Sequence, residues 1–141
     1  KSVCNEWLSA TAFKKWMEKQ DWHGKSLDKD IIVRGSKLYS PDTCAFVLKA
    51  TNNFVIARDA CRGDCPIGVD LFRRTGEYRA QCGNPFTKEQ EYLGLFSTPG
   101  DAHEAWRKRK HEIAQLVAAT ESDMRVVEAL KKWYSFEEWY K

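Results

Sequence analysis

Three segments of strand length decide the fold: Pro66-Ile-Gly-Val-Asp-Leu-Phe72, Gly76-Glu-Tyr-Arg-Ala-Gln-Cys82 and Glu91-Tyr-Leu-Gly-Leu-Phe96. The turn-forming runs at 73–76 and 83–87, rich in Gly, Asn and Pro, separate them. In the middle segment the apolar Tyr, Ala and Cys alternate with Glu, Arg and Gln. Because side chains alternate across a strand, one face is apolar and the other polar. The pattern predicts a three-stranded antiparallel sheet with one exposed polar face.

A long helix is predicted directly after the third strand. Thr98-Pro99 is typical of a helix start, and apolar residues then repeat at helical spacing: Ala102, Ala105, Trp106, Ile113, Leu116 and Val117. A sheet packed on one amphipathic helix makes a two-layer α+β domain. The basic run at 107–110, His103 and His111 lie off this stripe and are predicted to face solvent. Phosphate contact is the alternative role of the basic run.

The segments match a known outline at several points: Gly68-Val69, Gly76-Glu77-Tyr78, Ala80, Asn84-Pro85, Leu93-Gly94-Leu95-Phe96 and Ala102 through Trp106. Together they resemble the plant ethylene-response-factor (APETALA-type) DNA-binding domain. In that family the sheet lies in the DNA major groove, which is wide enough for a small β element. The resemblance therefore implies a double-stranded DNA partner. Two of the family's base-contacting arginines match Asp70 and Gln90 here, and its first-strand tryptophan has no counterpart.

The exposed sheet face and its turns carry side chains suited to DNA. Arginine and glutamine suit base edges, whereas lysine and arginine in the turns suit phosphates. A formal net charge of +3 permits such a partner without requiring one. The predicted DNA-binding residues are Arg73, Arg74, Arg79, Gln81, Lys88, Gln90 and Tyr92.

The first sixty residues show a different order of elements. Ser9 is the predicted cap of a first helix, and Phe13, Trp16 and Met17 then repeat at helical spacing. Strands at 27–33 and 38–47 and a second helix with Asn52-Asn53 follow. The runs Leu27-Asp-Lys-Asp30 and Tyr39-Ser-Pro-Asp-Thr-Cys44, in this order, resemble the phage HNH (His-Me finger) homing-endonuclease group. Phage members of that group also join such a ββα finger to the plant-type domain.

The HNH resemblance implies metal-dependent cleavage of DNA. By motif position Asp28 is the metal-binding aspartate, while Lys29 replaces the histidine base and Thr43 the asparagine ligand. A lysine is protonated at neutral pH, and a threonine hydroxyl is a poor ligand, so the finger is expected to be degenerate. The predicted catalytic residues are Asp28, Lys29, Asp30 and Thr43. The predicted ligands of a Mg²⁺ or Mn²⁺ ion are Asp28, Asp30, Asn52 and Asn53.

Composition limits the protein class. The chain has 141 residues, 43% of them hydrophobic, which excludes disorder, and no apolar run has the length of a membrane span. Five cysteines, an odd number, fit a reducing compartment, and we expect the cytoplasm of a host bacterium. Structural zinc is not expected, because Cys61 and Cys65 lack the usual two-residue spacing and have no second close pair. The chain begins without methionine, so we expect an upstream segment.

Three domains are predicted: a degenerate ββα finger at 1–60, an ethylene-response-factor-like domain at 61–120, and a C-terminal helix with an aromatic tail at 121–141. Ser122 is the predicted cap of the last helix, and the tail is expected to dock on the core or on another chain. The predicted function is an HNH-type DNA endonuclease. The alternatives are a non-catalytic DNA-binding or regulatory protein, and a phage protein that binds and inhibits a host protein.

Overall fold

The computed structural model of the chain describes residues 2–33, 36–55 and 65–140. These residues form helices and three separate sheets, one of them three-stranded and antiparallel, which confirms the predicted α+β class. Within the described ranges no helix is both long and apolar enough to cross a membrane. Cys61, named above as half of a close cysteine pair, lies outside the described residues.

The chain forms two compact units. The first comprises Lys1–Val55 and Val117–Leu130, and the second comprises Ile56–Leu116 and Lys131–Lys141. The C-terminal region thus contributes to both units. The predicted domain boundaries stay a prediction, because compact packing does not test whether each part folds alone.

The first unit contains the predicted strand, strand and helix. Its elements are β1 (Ser2–Val3), a 3-10 turn (Asn5–Leu8), α1 (Ala10–Glu18), β2 (Lys25–Asp28), β3 (Leu38–Tyr39), β4 (Ala45–Leu48) and α2 (Lys49–Phe54). Strand β1 pairs in parallel with β3, and β2 pairs antiparallel with β4. The strands predicted at 27–33 and 38–47 are shorter than expected. The reason at the first is Asp28, whose Oδ2 accepts the backbone N–H groups of Asp30 and Ile31 and turns the chain away from the strand.

An aromatic cluster packs the start of the first unit. The ring centroid of Trp7, which is buried, lies 4.9 Å from that of Phe13 and 4.6 Å from that of Trp16. Trp16 also stacks on Phe46 of β4, with centroids 5.7 Å apart. Helix α1 begins where predicted, because the Ser9 hydroxyl accepts a backbone N–H of its first turn at 3.4 Å.

Two polar side chains from the 117–130 segment form hydrogen bonds with other parts of the first unit. The carboxylate of Glu121, 8% exposed, accepts the Thr51 hydroxyl at 2.5 Å and the backbone N–H of Leu48 at 3.1 Å, so it caps the start of α2. Arg125 donates to the carbonyls of Pro41 and Cys44 at 2.9 and 3.1 Å. Helix α4 (Met124–Trp133) begins next to them.

The cap of α4 differs from the prediction. Asp123 fills that position, because its Oδ1 accepts the backbone N–H of Arg125 at 2.9 Å. The Ser122 hydroxyl, which was predicted to cap, instead accepts from the Lys25 ammonium at 3.2 Å.

The second unit contains the predicted sheet and helix. Its elements are β5 (Val69–Phe72), β6 (Glu77–Asn84), β7 (Glu89–Phe96), α3 (Pro99–Ala118) and α5 (Phe136–Trp139). The strands are antiparallel in the order β5-β6-β7. Helix α3 starts at the predicted Thr98-Pro99, where the threonine hydroxyl accepts the backbone N–H of Asp101 at 3.1 Å.

Helix α3 packs closely on the apolar face of the sheet. Val69 and Ala80 of the sheet form a buried cluster with Ala102 of the helix. Gly68 permits a close approach beside them: a Cβ there would lie 2.1 Å from Cδ1 of Trp106, and its φ is +81°. Only glycine combines that backbone angle with that contact.

The charged residues of α3 are not the solvated face that the sequence predicted. Arg107 and Lys110 are each 5% exposed. Arg107 donates to both carboxylate oxygens of Glu104, at 2.6 and 2.9 Å, and its Nη1 donates to the carbonyl of Tyr134 at 2.7 Å. The expectation of a solvated basic run is therefore wrong at these two residues.

The aromatic tail docks on α3 within the same unit, one of the two outcomes expected for it. Trp139 is buried and its indole N–H donates to Nε2 of His103 at 2.9 Å. Since Nε2 accepts, the other ring nitrogen donates to the carbonyl of Ile67, also at 2.9 Å. His103 is therefore hydrogen-bonded at both ring nitrogens within the unit, and the prediction that it faces solvent is wrong. Tyr140 completes the contact by donating to Glu104 at 2.9 Å.

Candidate nucleic-acid interface

The outer face of the three-stranded sheet, opposite α3, carries most of the predicted DNA-binding side chains. Cross-strand partners share a face, and the register pairs Gln81 with Tyr92 and places Gln90 opposite Gly83. Arg79 lies two residues before Gln81 on β6 and shares its face. Tyr92 is 60% exposed. The structure thus brings these four side chains together on one accessible surface.

A β-bulge keeps this face continuous. Ala80 pairs with Gly94, whereas Gln81 pairs with Tyr92, so Leu93 is an extra residue on β7. Leu93 packs against the buried cluster on the inner side, and Tyr92 consequently points outward. The positive φ of Gly94, +127°, accommodates the irregular backbone.

Exposed cations lie in the turns at the two ends of β6. Arg73 and Arg74 lie in the β5–β6 turn, where Gly76 has a φ of +77°. Lys88 lies in the β6–β7 turn with a φ of +63°. The Asn84 side chain forms that turn by accepting two backbone N–H groups, at 2.8 and 3.3 Å. At about 3.4 Å per residue, the eight residues of β6 separate the turns by roughly 25 Å.

Arg79 has a partner that the sequence interpretation missed. Its Nε and Nη2 donate to the two carboxylate oxygens of Asp70, at 3.0 and 2.5 Å, and its guanidinium lies 5.8 Å from the centre of the Phe72 ring. The hydrogen bonds that Arg79 donates to Asp70 raise the pKa of Arg79 above its ordinary value. Counting outward from the 73–76 turn places residue 70 opposite residue 79, so this ion pair could have been predicted from the strand register.

Arg109, the third residue of the basic run, forms an ion pair within the second unit. Its Nε and Nη2 donate to the two oxygens of Glu91, at 2.6 and 3.0 Å, and Asn84 donates to the same carboxylate at 2.6 Å. The Arg109 hydrogen bond, helped by Asn84, lowers the pKa of Glu91 to about 2. Of the four residues 107–110, Lys108 alone is exposed. The alternative role of this run, phosphate contact, is thereby reduced to one side chain.

The predicted catalytic residues lie in the first unit, and the side chain of each one is hydrogen-bonded to neighbouring residues. Asp28 is half-buried, its carboxylate accepts the backbone N–H groups of Asp30 and Ile31 at 2.9 and 2.7 Å, and burial raises its pKa. The ammonium of Lys29 lies 3.0 Å from a carboxylate oxygen of Asp30. That hydrogen bond raises the pKa of Lys29, so the side chain holds its proton at neutral pH.

Thr43 is part of a turn. Its hydroxyl donates to the carbonyl of Leu38 at 2.6 Å and accepts the backbone N–H of Ser40 at 3.2 Å. Asn52 and Asn53 are exposed on α2. In the described parts of the chain, no group of three or more His, Cys, Asp or Glu side chains is arranged to hold a metal ion. The predicted ligand set, which includes asparagines, stays a prediction.

Comparison with known proteins finds partial similarity to plant transcription factors. Over 54 residues, 38% of this chain, the sequence is 37% identical to ethylene-responsive transcription factor ERF116 of Arabidopsis thaliana, and the match covers 18% of that protein. Over 81 residues, 57% of the chain, it is 31% identical to ethylene-responsive transcription factor ERF119 of the same plant, covering 24% of that protein. No family model and no solved structure matches the chain.

These similarities agree with one of the two resemblances drawn from the sequence. The chain is similar, over part of its length, to ethylene-responsive transcription factors, and it spans about a fifth to a quarter of each of them. Neither relative is named as a nuclease or as a phage protein. The resemblance of residues 1–60 to a phage nuclease finger, and the bacterial cytoplasm that it implied, therefore stay predictions.

Proposed function

We propose that this chain binds double-stranded DNA through the outer face of its three-stranded sheet. The observation that carries the proposal is the shared outer face of Arg79, Gln81, Gln90 and Tyr92, on which the last two are exposed and the first two half-buried. Arginine and glutamine are the side chains that form bidentate hydrogen bonds with base edges. Partial similarity to ethylene-responsive transcription factors supports the same partner.

The dimensions of the sheet fit the major groove. Three strands about 4.8 Å apart make a surface roughly 10 Å wide between the outer backbones, and the groove of B-DNA is about 12 Å wide. The exposed cations in the turns suit phosphates on either side of the groove: Arg73, Arg74 and Lys88. Acidic residues on or beside the same sheet, among them Asp70 and Glu77, offset much of this charge. We therefore expect binding whose non-specific component is weak.

The experiment is a titration of labelled duplex DNA, followed by fluorescence anisotropy at several salt concentrations. Gln81→Ala and Tyr92→Ala should weaken binding, and Arg74→Ala should lower the slope of log K against log salt by about one. Lys108→Ala is the matched control, because it removes one exposed cation from α3, on the other layer of the unit. Equal effects of Arg74→Ala and Lys108→Ala, or no effect of any sheet variant, would contradict the proposed surface.

We further propose that binding occurs without cleavage. This rests on the state of the predicted catalytic groups: Lys29 is a charged ammonium paired with Asp30, and the Thr43 hydroxyl is used within its turn. Neither group is in a form that accepts a proton from water or completes a Mg²⁺ site. The predicted HNH-type endonuclease activity is the alternative.

A plasmid nicking assay with Mg²⁺ or Mn²⁺ separates these two functions. We expect no nicking by the wild-type chain at concentrations that bind the plasmid. Nicking that is lost in Asp28→Ala, with duplex affinity unchanged, would establish the endonuclease instead. An absence of both nicking and binding would favour the third predicted class, a protein that acts on a host protein.

A further inference from the structure

The guanidinium of Arg79 is held in a defined orientation on the outer face. The carboxylate of Asp70, directly opposite on β5, engages one edge of the guanidinium through two hydrogen bonds, to Nε and to Nη2. The ring of Phe72 lies 5.8 Å from the guanidinium carbon. An exposed arginine ordinarily samples many rotamers, and this double hydrogen bond reduces that freedom before any ligand binds.

The carboxylate leaves one edge of the guanidinium open. With Nε and one N–H of Nη2 bonded to Asp70, the remaining donors are the second N–H of Nη2 and both N–H groups of Nη1. Among the described residues these donors have no partner. The edge between Nη1 and Nη2 presents two parallel N–H bonds about the distance apart that a pair of neighbouring acceptors requires.

Resting on the proposed binding of duplex DNA by this face, we infer that Arg79 reads a guanine and that Asp70 is the residue that positions it. Guanine presents two neighbouring acceptors, O6 and N7, in the major groove, whereas adenine and thymine each present one and cytosine presents a donor. Two parallel N–H bonds therefore match guanine alone. The Asp70 carboxylate fixes the direction of these two N–H bonds. It also repels phosphates, which weakens binding to DNA of the wrong sequence.

The pair makes two distinguishable predictions for its variants. Arg79→Met removes the guanidinium and keeps the length of the side chain, so duplex affinity should fall and the guanine preference should disappear. Asp70→Asn removes one negative charge and the doubly bonded acceptor. It should bind random duplex DNA more tightly than the wild type and discriminate less between bases at one position.

The experiment is selection of bound sequences from a duplex library with a randomised central segment, followed by affinity measurements on the selected duplex and its single-base variants. For the wild type we expect about a tenfold preference for guanine at one position. The preference should fall to near one in Arg79→Met and fall partly in Asp70→Asn. Glu77→Gln is the matched control: it removes a carboxylate from the same strand as Arg79, so it should tighten binding without changing the preference.

Four results would overturn the inference, and they differ in what else they affect. Duplex binding with no preferred base, or with a guanine preference that survives in Arg79→Met, contradicts the reading of guanine while the proposed function stands. A preference that is unchanged in Asp70→Asn contradicts the positioning role of that residue. Absence of any duplex binding by the wild type at low salt contradicts the proposed function itself.

Discussion

Lys110 is a buried lysine whose charged form is disfavoured in the folded protein. It is 5% exposed on α3, and desolvation lowers its pKa from 10.5 to about 8. Each pKa unit corresponds to about 1.4 kcal/mol, so keeping the charged ammonium in this position costs on the order of 3 kcal/mol. The rings of Trp106 and Tyr134, with centroids 5.8 and 5.2 Å from Nζ, offset about 1 kcal/mol by cation–π attraction. The stability of Lys110→Met relative to the wild type should therefore be about 2 kcal/mol more favourable at pH 7 than at pH 10.

The pH dependence of this gain follows from the lowered pKa. Below about pH 8 the lysine is charged in both the folded and the unfolded chain, and the full cost is present. Between pH 8 and 10.5 the unfolded chain binds a proton that the folded chain does not, so the stability of the wild type rises with pH. Above that range the lysine is neutral in both states and the cost is gone. The advantage of Lys110→Met should consequently shrink as the pH rises from 7 to 10.

Urea unfolding of the wild type and of Lys110→Met, followed by tryptophan fluorescence at pH 7, 8, 9 and 10, measures this difference. Comparing the two proteins cancels the titration of groups that do not interact with Lys110; the nearby Cys82 thiol, whose pKa the lysine charge lowers, is the exception. Lys108→Met is the matched control, an exposed lysine of the same helix, and its effect should be small at every pH. A stability difference between Lys110→Met and the wild type that is constant from pH 7 to 10 would refute the reasoning.

Two further substitutions test the packing inside each unit, one substitution per unit. A third tests whether the first unit takes part in DNA binding. Glu121→Ala should lower the free energy of unfolding by about 2–3 kcal/mol in urea titrations, because it leaves the buried Thr51 hydroxyl and the start of α2 without their acceptor. Gly68→Ala should lower the melting temperature sharply, because its Cβ would overlap the Trp106 ring. Asp28→Ala should leave the affinity for duplex DNA unchanged in anisotropy titrations, since among the described residues its carboxylate accepts hydrogen bonds from its own turn, in the first unit.

The two substitutions that test stability each have a control within the chain. Gly76 also has a positive φ, +77°, but nothing lies within 4 Å of its added Cβ, so Gly76→Ala should show the backbone cost alone, about 1 kcal/mol. Glu128→Ala removes an exposed glutamate from α4 and should change stability by less than about 0.5 kcal/mol. Equal losses in Gly68→Ala and Gly76→Ala would contradict the contact with Trp106. Weakened DNA binding in Asp28→Ala would assign the first unit a part in the interface.

The sheet could be predicted because its signals are local. Alternation of apolar and polar residues in β6 and turn-forming residues on both sides specify strands and hairpins without reference to the rest of the chain. The observed strands are longer than expected at the second hairpin, where β6 runs to Asn84 and β7 begins at Glu89. The asparagine side chain supplies two of the turn's hydrogen bonds, so fewer residues are needed to reverse the chain.

The burial of charge on α3 could not be predicted in the same way. Periodicity assigns Arg107 to the polar side of the helix, because it reports only on the helix itself. The acceptor that allows this guanidinium to be buried is the carbonyl of Tyr134, which belongs to the tail and lies 27 residues further along the chain. When the tail docks on α3, it buries part of the polar side of that helix. Only the tertiary structure contains that information.

The same distinction applies to Asp70. From the sequence alone, Asp70 indicates the loss of a DNA contact, because it is an acid at a position where the plant DNA-binding family has a base-contacting arginine. In the fold its cross-strand neighbour Arg79 supplies a guanidinium to the same face from the middle strand. The ion pair carries no net charge, so it attracts phosphates less than a lone arginine does and reduces non-specific affinity. Its oriented donors keep the capacity to recognise a base. Weaker non-specific attraction together with a fixed donor pair increases the ratio of specific to non-specific affinity. We therefore expect the acid to increase the selectivity of the face while it lowers the face's affinity for DNA in general.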